Sequence, residues 1–318
     1  MIQTEGIQVK PRPRHFLSIR DLSPDEVMPL VIQAMDMKKS RRAARAKPLA
    51  GRSIALLFEK PSLRTRASFE VGIYELGGFS FYMGGAEVGL GAREPASDVA
   101  RVLCRYVDGV VARVNSHKML VEFCKHASAP VVNALSDWEH PCQTMADLQT
   151  ILEAKGGLEG VTVAFIGDGN NVSRSLALGC ASVGANFAIA SPKGYEIDGQ
   201  SLGLARERGA RNGTSIKSVL EVEEAVTGAD VVYTDVWTSM GQEAERKARL
   251  AAFKGYTVND KVMKMANKGA IFMHDMPAHY GEEVAPGMLE HASSVVYEQA
   301  ENRLHAQKAV LKFLMGTK

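Results

Sequence analysis

Ser62, Arg64 and Thr65 crowd two hydroxyls and a guanidinium into four residues of the stretch FEKPSLRTRASFE, residues 58–70. Before them runs an apolar segment, 54–58, that reads as a buried strand. After them Phe69, Ile73 and Leu76 recur at helical spacing until Gly77-Gly78 closes the run. A strand feeding a helix start offers free backbone N–H groups and the positive pole of the helix to an anion. Ser62 suits the N-cap, and Arg64 can grip phosphate oxygens with two parallel bonds. A plain serine cap flanked by exposed arginines would use the same residue types. The P-loop pattern, a glycine-rich run ending in Gly-Lys-Ser/Thr, is absent. Phosphate is the expected ligand.

Further polar clusters offer other chemistry. His140 and Gln143 stand three apart at a helix start, so both can face one pocket, although an isolated histidine there is more often structural. GDGNNV (167–172) follows a strand but lacks the third glycine of a dinucleotide fingerprint. Its amides, Asn170 and Asn171, can meet a second substrate or simply form a turn. In DVWTSMG (235–241), Asp235 precedes Ser239 by four residues, a carboxylate and hydroxyl suited to an ammonium group. The cysteines, Cys104, Cys124, Cys142 and Cys180, form no C-x-x-C pair and sit near no histidine cluster, so no metal site or disulfide framework is expected.

These residues need elements to hold them. Strand-like runs at 54–58, 109–114 and 130–134 alternate with helical patterns such as 98–106 and 118–126. The second half repeats the alternation, with strands expected at 161–167, 186–191, 230–237 and 270–274. Such alternation predicts α/β architecture: two doubly wound domains with parallel sheets, joined by long helices. A helix over 141–155 reads as the bridge, and the last 20 or so residues as one amphipathic helix. The expected division is 1–150, completed by 296–318, and 151–295. Ligands of open parallel sheets sit at the carboxyl ends of strands. Ser62–Thr65, Arg113, His140–Gln143, Asn170-Asn171, Asp235–Met240 and His274–Pro277 all follow strands, which predicts an active site between the domains.

Composition bounds the partners. The 318 residues are 46% hydrophobic and 23% charged, with a formal charge of +2, which supplies no reason to expect nucleic acid or membrane. The basic run KKSRRAARAK (38–47) reads as the solvated end of a helix begun near Ser23, where cations suit the negative pole. The polar N-terminus lacks an apolar leader region, and no apolar run approaches membrane-spanning length. A cytoplasmic protein is expected.

Taken together, HFLSIRDLS (15–23), SLRTR (62–66), LSDWEHPCQTMADLQT (135–150), DVWTSMGQEAE (235–245) and ENRLHAQKAVL (301–311) resemble the carbamoyltransferases, specifically the ornithine carbamoyltransferase branch. The resemblance covers nearly the whole chain. It implies a carbamoyl phosphate domain followed by an amino-acid domain, a homotrimer or multiple of trimers, and no metal or organic cofactor. The implied substrates are carbamoyl phosphate and L-ornithine. Ser62, Arg64 and Thr65 would bind the phosphate, with Leu63 at a variable place of the motif. Arg113 would bridge phosphate and carbonyl oxygen. His140 and Gln143, with Pro141 and Cys142 between them, would hold the carbamoyl group, and Arg303 would reach it too. Asn171 would meet the ornithine carboxylate, while Asp235, Ser239 and the Met240 backbone would hold the α-amino end. Arg113, His140, Asp235 and Asp275 form the implied catalytic set.

Two positions depart from the family pattern. The family usually has His-Cys-Leu-Pro where this chain reads His274-Asp275-Met276-Pro277. The resemblance implies that Asp275 and Met276 would stand beside carbamoyl phosphate and the reacting amine, where the family usually has a thiol. Gly89 replaces a residue that often reaches a neighbouring subunit's site. These departures leave room for a modified ornithine or another amine as acceptor, or for a catalytically impaired paralogue. The intact 235–241 loop argues against a diamine, and the retained phosphate ligands argue against an inactive scaffold.

Overall fold

In the computed structural model the described residues are 12–317, apart from 42, 44, 45 and 240. Two parallel sheets form. The first joins β1 (Ser53–Phe58), β2 (Phe79–Gly84), β3 (Gly109–Arg113) and β4 (Val131–Leu135) in the order β2-β1-β3-β4. The second joins β5 (Thr162–Ile166), β6 (Asn186–Ala190), β7 (Ile216–Val219), β8 (Val231–Thr234) and β9 (Ile271–His274) in the order β7-β6-β5-β8-β9. Around the first sheet and leading from it lie α1 (Pro24–Lys39), α2 (Leu63–Glu75), α3 (Gly85–Val88), α4 (Ala96–Leu103), α5 (His117–His126) and α6 (Pro141–Lys155). The second half adds α7 (Asn171–Ser182), α8 (Gly199–Gly209), α9 (Val222–Val226), α10 (Arg246–Ala252), α11 (Asp260–Met263) and α12 (Val296–Met315).

The α/β expectation holds, and the reason is visible in the central strands. Every residue of β3 is buried, as a parallel strand covered on both faces requires. β2 and β7 were not anticipated. Both are edge strands, and β2 has no buried residue, so neither shows the continuous apolar run by which the inner strands are read. Ser23 caps α1, with its N–H donating to Glu26 at 2.8 Å, and the helix ends at Lys39 inside the basic run, as expected.

α6 begins at Pro141, where a missing N–H costs nothing, and ends at Gly156 in the left-handed region. It is buried from Pro141 through Ile151. α12 returns to pack on α6, α1 and α2 and also touches β9. One apolar cluster therefore runs from Leu56 and Phe58 through Met145, Leu148 and Val310 to Phe165 and Phe187. A helix buried on all sides must find partners for its polar residues, and α6 carries Gln143, Asp147 and Gln149. Those partners lead to the site.

Candidate active site

A cavity of about 960 Å³ opens at the carboxyl ends of strands from both sheets. Its wall includes Ser62, Leu63, Arg64, Thr65, Arg113, His140 and Arg303 on one side. Asn171, Asp235, Ser239, Asp275 and Met276 lie on the other. Pro141, Cys142 and Gln143 are not on that wall; they lie deeper on α6, fully buried. Met240 falls outside the described residues.

The anion side is built on the start of α2. Ser62 caps it, with its Oγ accepting from Thr65 N at 3.3 Å. The buried Thr65 hydroxyl accepts from Arg303 Nη2 at 2.8 Å and Arg113 Nη1 at 3.4 Å. Arg113 ends β3, where the register to β4 shifts between Ala112 and Arg113. Burial pushes its pKa down to about 10, helped by Arg303 and Arg64 and opposed by Asp275. Burial likewise lowers that of Arg303. Guanidinium groups crowded against their own repulsion make a site that gains by taking up an anion. Arg66 is not part of it, since it stacks 4.1 Å over the Tyr82 ring and bonds Glu70.

His140 donates its backbone N–H to Ser175 Oγ at 2.9 Å. Burial, then Arg303 and Arg113, hold its pKa well below the usual histidine range, so the ring is neutral and can share a hydrogen bond with a carbonyl. Cys142 is a buried thiol pushed up to about 12, donating to Asn133 O at 3.4 Å.

The opposite side rests on β5, β8 and β9. Asn170, not Asn171, caps α7, accepting from Val172 N and Ser173 N, and its Nδ2 donates to Asp235 Oδ2 at 2.6 Å. Asp235 Oδ1 accepts from Val236 N at 2.6 Å. Asn171 donates to Ser136 O at 2.8 Å. The glycine of the GDG turn has a packing reason: a Cβ on Gly169 would lie 2.3 Å from Ile197 N. His274 Nδ1 accepts from Met276 N at 2.8 Å, which puts the ring proton on Nε2, facing Glu283 Oε1 at 3.2 Å. With Nδ1 so engaged, the Asp235–His274–Asp275 group presents carboxylates but no open imidazole lone pair. An oxygen of each carboxylate and a His274 ring nitrogen lie within 4.8 Å of one another. Asp275 Oδ1 is buried without a hydrogen-bond partner. Burial, then the Asp235 charge, raise the Asp275 pKa well above the carboxylate range.

The two units answer to two family descriptions. Residues 14–153 match the "Aspartate/ornithine carbamoyltransferase, carbamoyl-P binding domain" and 159–314 the "Aspartate/ornithine carbamoyltransferase, Asp/Orn binding domain". Ornithine carbamoyltransferase of Thermococcus kodakarensis is 46% identical over 304 residues, 95% of this chain and 96% of that protein. The chain belongs to the aspartate/ornithine carbamoyltransferase family. The enzyme of the same name from Acidothermus cellulolyticus is 49% identical over 303 residues, 95% of this chain and 96% of its own. The structure of ornithine carbamoyltransferase from Pyrococcus furiosus superposes with a TM-score of 0.93 at 44% identity, covering 96% of this chain and 98% of that one. Ornithine transcarbamoylase from Giardia lamblia gives 0.87 at 35% identity, with 96% and 99% covered.

Against the family pattern, Gly89 has a backbone cause. It ends α3 at φ +56°, the left-handed region that favours glycine, and a Cβ there would stand 2.8 Å from that of Arg93. Residues of the cavity wall that sequence reasoning missed are Asp168 and Arg249; it also missed the buried Asp147 and Gln299, which are not on that wall. Arg249 pairs with Asp168 at 2.7 Å, donates to Trp237 O at 3.1 Å and bonds Glu245, clasping the 235–241 loop. The GDG turn after a strand marked the place of Asp168; nothing local marked Arg249.

Proposed function

We propose that this protein transfers the carbamoyl group of carbamoyl phosphate to the δ-amine of L-ornithine, forming citrulline and phosphate. The observation that carries the reading is the polarity of one cavity. Arg64, Arg113, Arg303 and the Thr65 hydroxyl gather on one wall, and Asp235 and Asp275 face them. Carbamoyl phosphate meets the first wall, with its phosphate at Ser62, Arg64 and Thr65. Its carbonyl oxygen lies toward Arg113 and the neutral His140, and its NH2 toward Gln143. The acceptor lies against Asn171, Asp235, Ser239 and the Met240 backbone.

In the reaction the neutral δ-amine attacks the carbamoyl carbon. The new C–N bond forms, the oxygen gathers negative charge, and the C–O bond to phosphate breaks. Preorganised donors at Arg113, His140 and Thr65 stabilise that oxyanion without reorganising. The proton shed by nitrogen passes to Asp275 or leaves with phosphate. Residues 1–150 with 296–318 serve as the carbamoyl phosphate domain and 151–295 as the ornithine domain.

A homotrimer is supported by the edge strand β2, whose first residue, Phe79, is 64% exposed. Cytoplasmic arginine metabolism accords with the substrates, and no helix of the described residues is long and apolar enough to cross a membrane. A second reading, a modified ornithine as acceptor, draws on Asp275 alone. Parallel assays with ornithine, putrescine and N-acetylornithine test both. Citrulline from ornithine is expected; carbamoylation of another amine in its stead would overturn the assignment.

A further inference from the structure

Asp147 lies on α6 one turn beyond Gln143 and is completely buried. Its Oδ1 accepts from Gln143 Nε2 at 2.9 Å and from Gln299 Nε2 at 2.7 Å. Tyr233 OH approaches Oδ2 at 3.3 Å and accepts from Gln299 Nε2 at 2.9 Å. Gln299 Oε1 in turn accepts the backbone N–H of His274 at 3.0 Å. One carboxylate thus joins α6, β8 and α12, and through Gln299 it reaches the turn that carries Asp275.

We infer that Asp147 is a positioning residue that turns the Gln143 carbonyl oxygen toward the carbamoyl NH2. The inference rests on the carbamoyl transfer proposed above. An ionised carboxylate only accepts hydrogen bonds, so Gln143 must present its nitrogen to Asp147 and its oxygen away from it. That oxygen, Oε1, is buried and finds no partner in the protein. Buried acceptors without partners are few in native proteins, and each calls for one. The carbamoyl NH2 is a donor of the right kind, and His140, one turn before Gln143, already stands on the cavity wall. Were the amide reversed, an NH2 would face an NH2. The same carboxylate fixes Gln299 with its oxygen toward His274. Gln143 and the His274-Asp275 turn therefore share a support that is held from both halves of the chain.

A double-mutant cycle at pH 8 tests this, where Asp147, which burial pushes up to about 7, is ionised. Gln143→Ala should raise the KM for carbamoyl phosphate about tenfold, as loss of one hydrogen bond to the ligand does. Asp147→Ala should raise it comparably. In the Gln143→Ala background, Asp147→Ala should add less than about twofold to that KM, since coupled residues are not additive. Fully additive losses, or an unchanged KM with only lowered thermal stability, would overturn the role. If Asp147→Ala does not fold, Asp147→Asn replaces it in the cycle. A structure of the wild type with carbamoyl phosphate is a second check: Gln143 Oε1 beyond about 3.5 Å from the carbamoyl nitrogen refutes the inference. No citrulline from the wild type would instead refute the functional reading itself.

Discussion

Replacing Asp275 with asparagine removes one charge from a pair of carboxylates and keeps the shape. Two unit charges within 4.8 Å of each other repel by at least about 3.5 kcal/mol at an effective dielectric of about 20, a factor of several hundred or more in a protonation equilibrium. Asp235 is capped by N–H donors on both oxygens, whereas Asp275 Oδ1 has none, so it is Asp275 whose proton affinity the repulsion raises. Arg303 and Arg113 oppose that uptake, while Asp147 and burial reinforce it. Asp275 is therefore a stronger base than an ordinary carboxylate, and in its ionised form it can take a proton from the incoming δ-ammonium inside the complex. Without it the amine must lose its proton to solvent. Asp275→Asn should lower kcat at pH 7 by about 10²-fold, the low end of general-base contributions. The loss should shrink as pH rises toward 10, and Asp275→Cys should fall between the two. Steady-state pH profiles from 6 to 10 measure this. A profile moved to lower pH with activity kept would mean that Asp275 merely pins the charged amine. An unchanged profile and rate would mean that it faces away from the amine altogether.

Arg113→Ala should cut kcat/KM for carbamoyl phosphate by about 10²–10³-fold, because an oxyanion donor and a phosphate contact go together. Arg64→Ala should act mainly on KM, and near-normal kinetics of both variants would remove the anion site. Arg249→Met leaves Asp168 a buried, unpaired carboxylate and frees the Trp237 carbonyl, so it should cost about 3–5 kcal/mol in denaturant unfolding. It should also raise the ornithine KM more than that for carbamoyl phosphate; equal changes in both would separate the clasp from the acceptor loop. Glu139 is buried and raised to about 7 from 4.5, chiefly by desolvation. A carboxyl raised on folding stabilises the protein fully below its unfolded pKa and loses that stabilisation as pH rises through 7. Glu139→Gln should therefore be nearly neutral to stability at pH 4 and stabilising by up to about 3 kcal/mol at pH 8. Calorimetry at the two pH values checks the sign.

Local sequence determined the elements and the places where chemistry could sit. Apolar runs gave away the inner strands because parallel strands are buried on both faces, and Pro141 with Gly156 marked the ends of α6. Edge strands β2 and β7 stayed hidden because half-exposed residues carry no such run. The polar clusters stood out since each follows a strand, and the start of α2 could be read as an anion site from its cap and arginines alone. Which side chains meet was decided by tertiary structure. Arg303 reaches Thr65 across 238 residues, Gln299 reaches Asp147 across 152, and Arg249 reaches Asp168 across 81. No spacing rule spans such distances, because those contacts come from how α12, α6 and the two sheets pack. The raised proton affinity of Asp275 has the same origin. A carboxyl group's affinity for a proton depends on the water it loses and the charge it faces, and Asp235 lies 40 residues away in the chain but beside it in the fold.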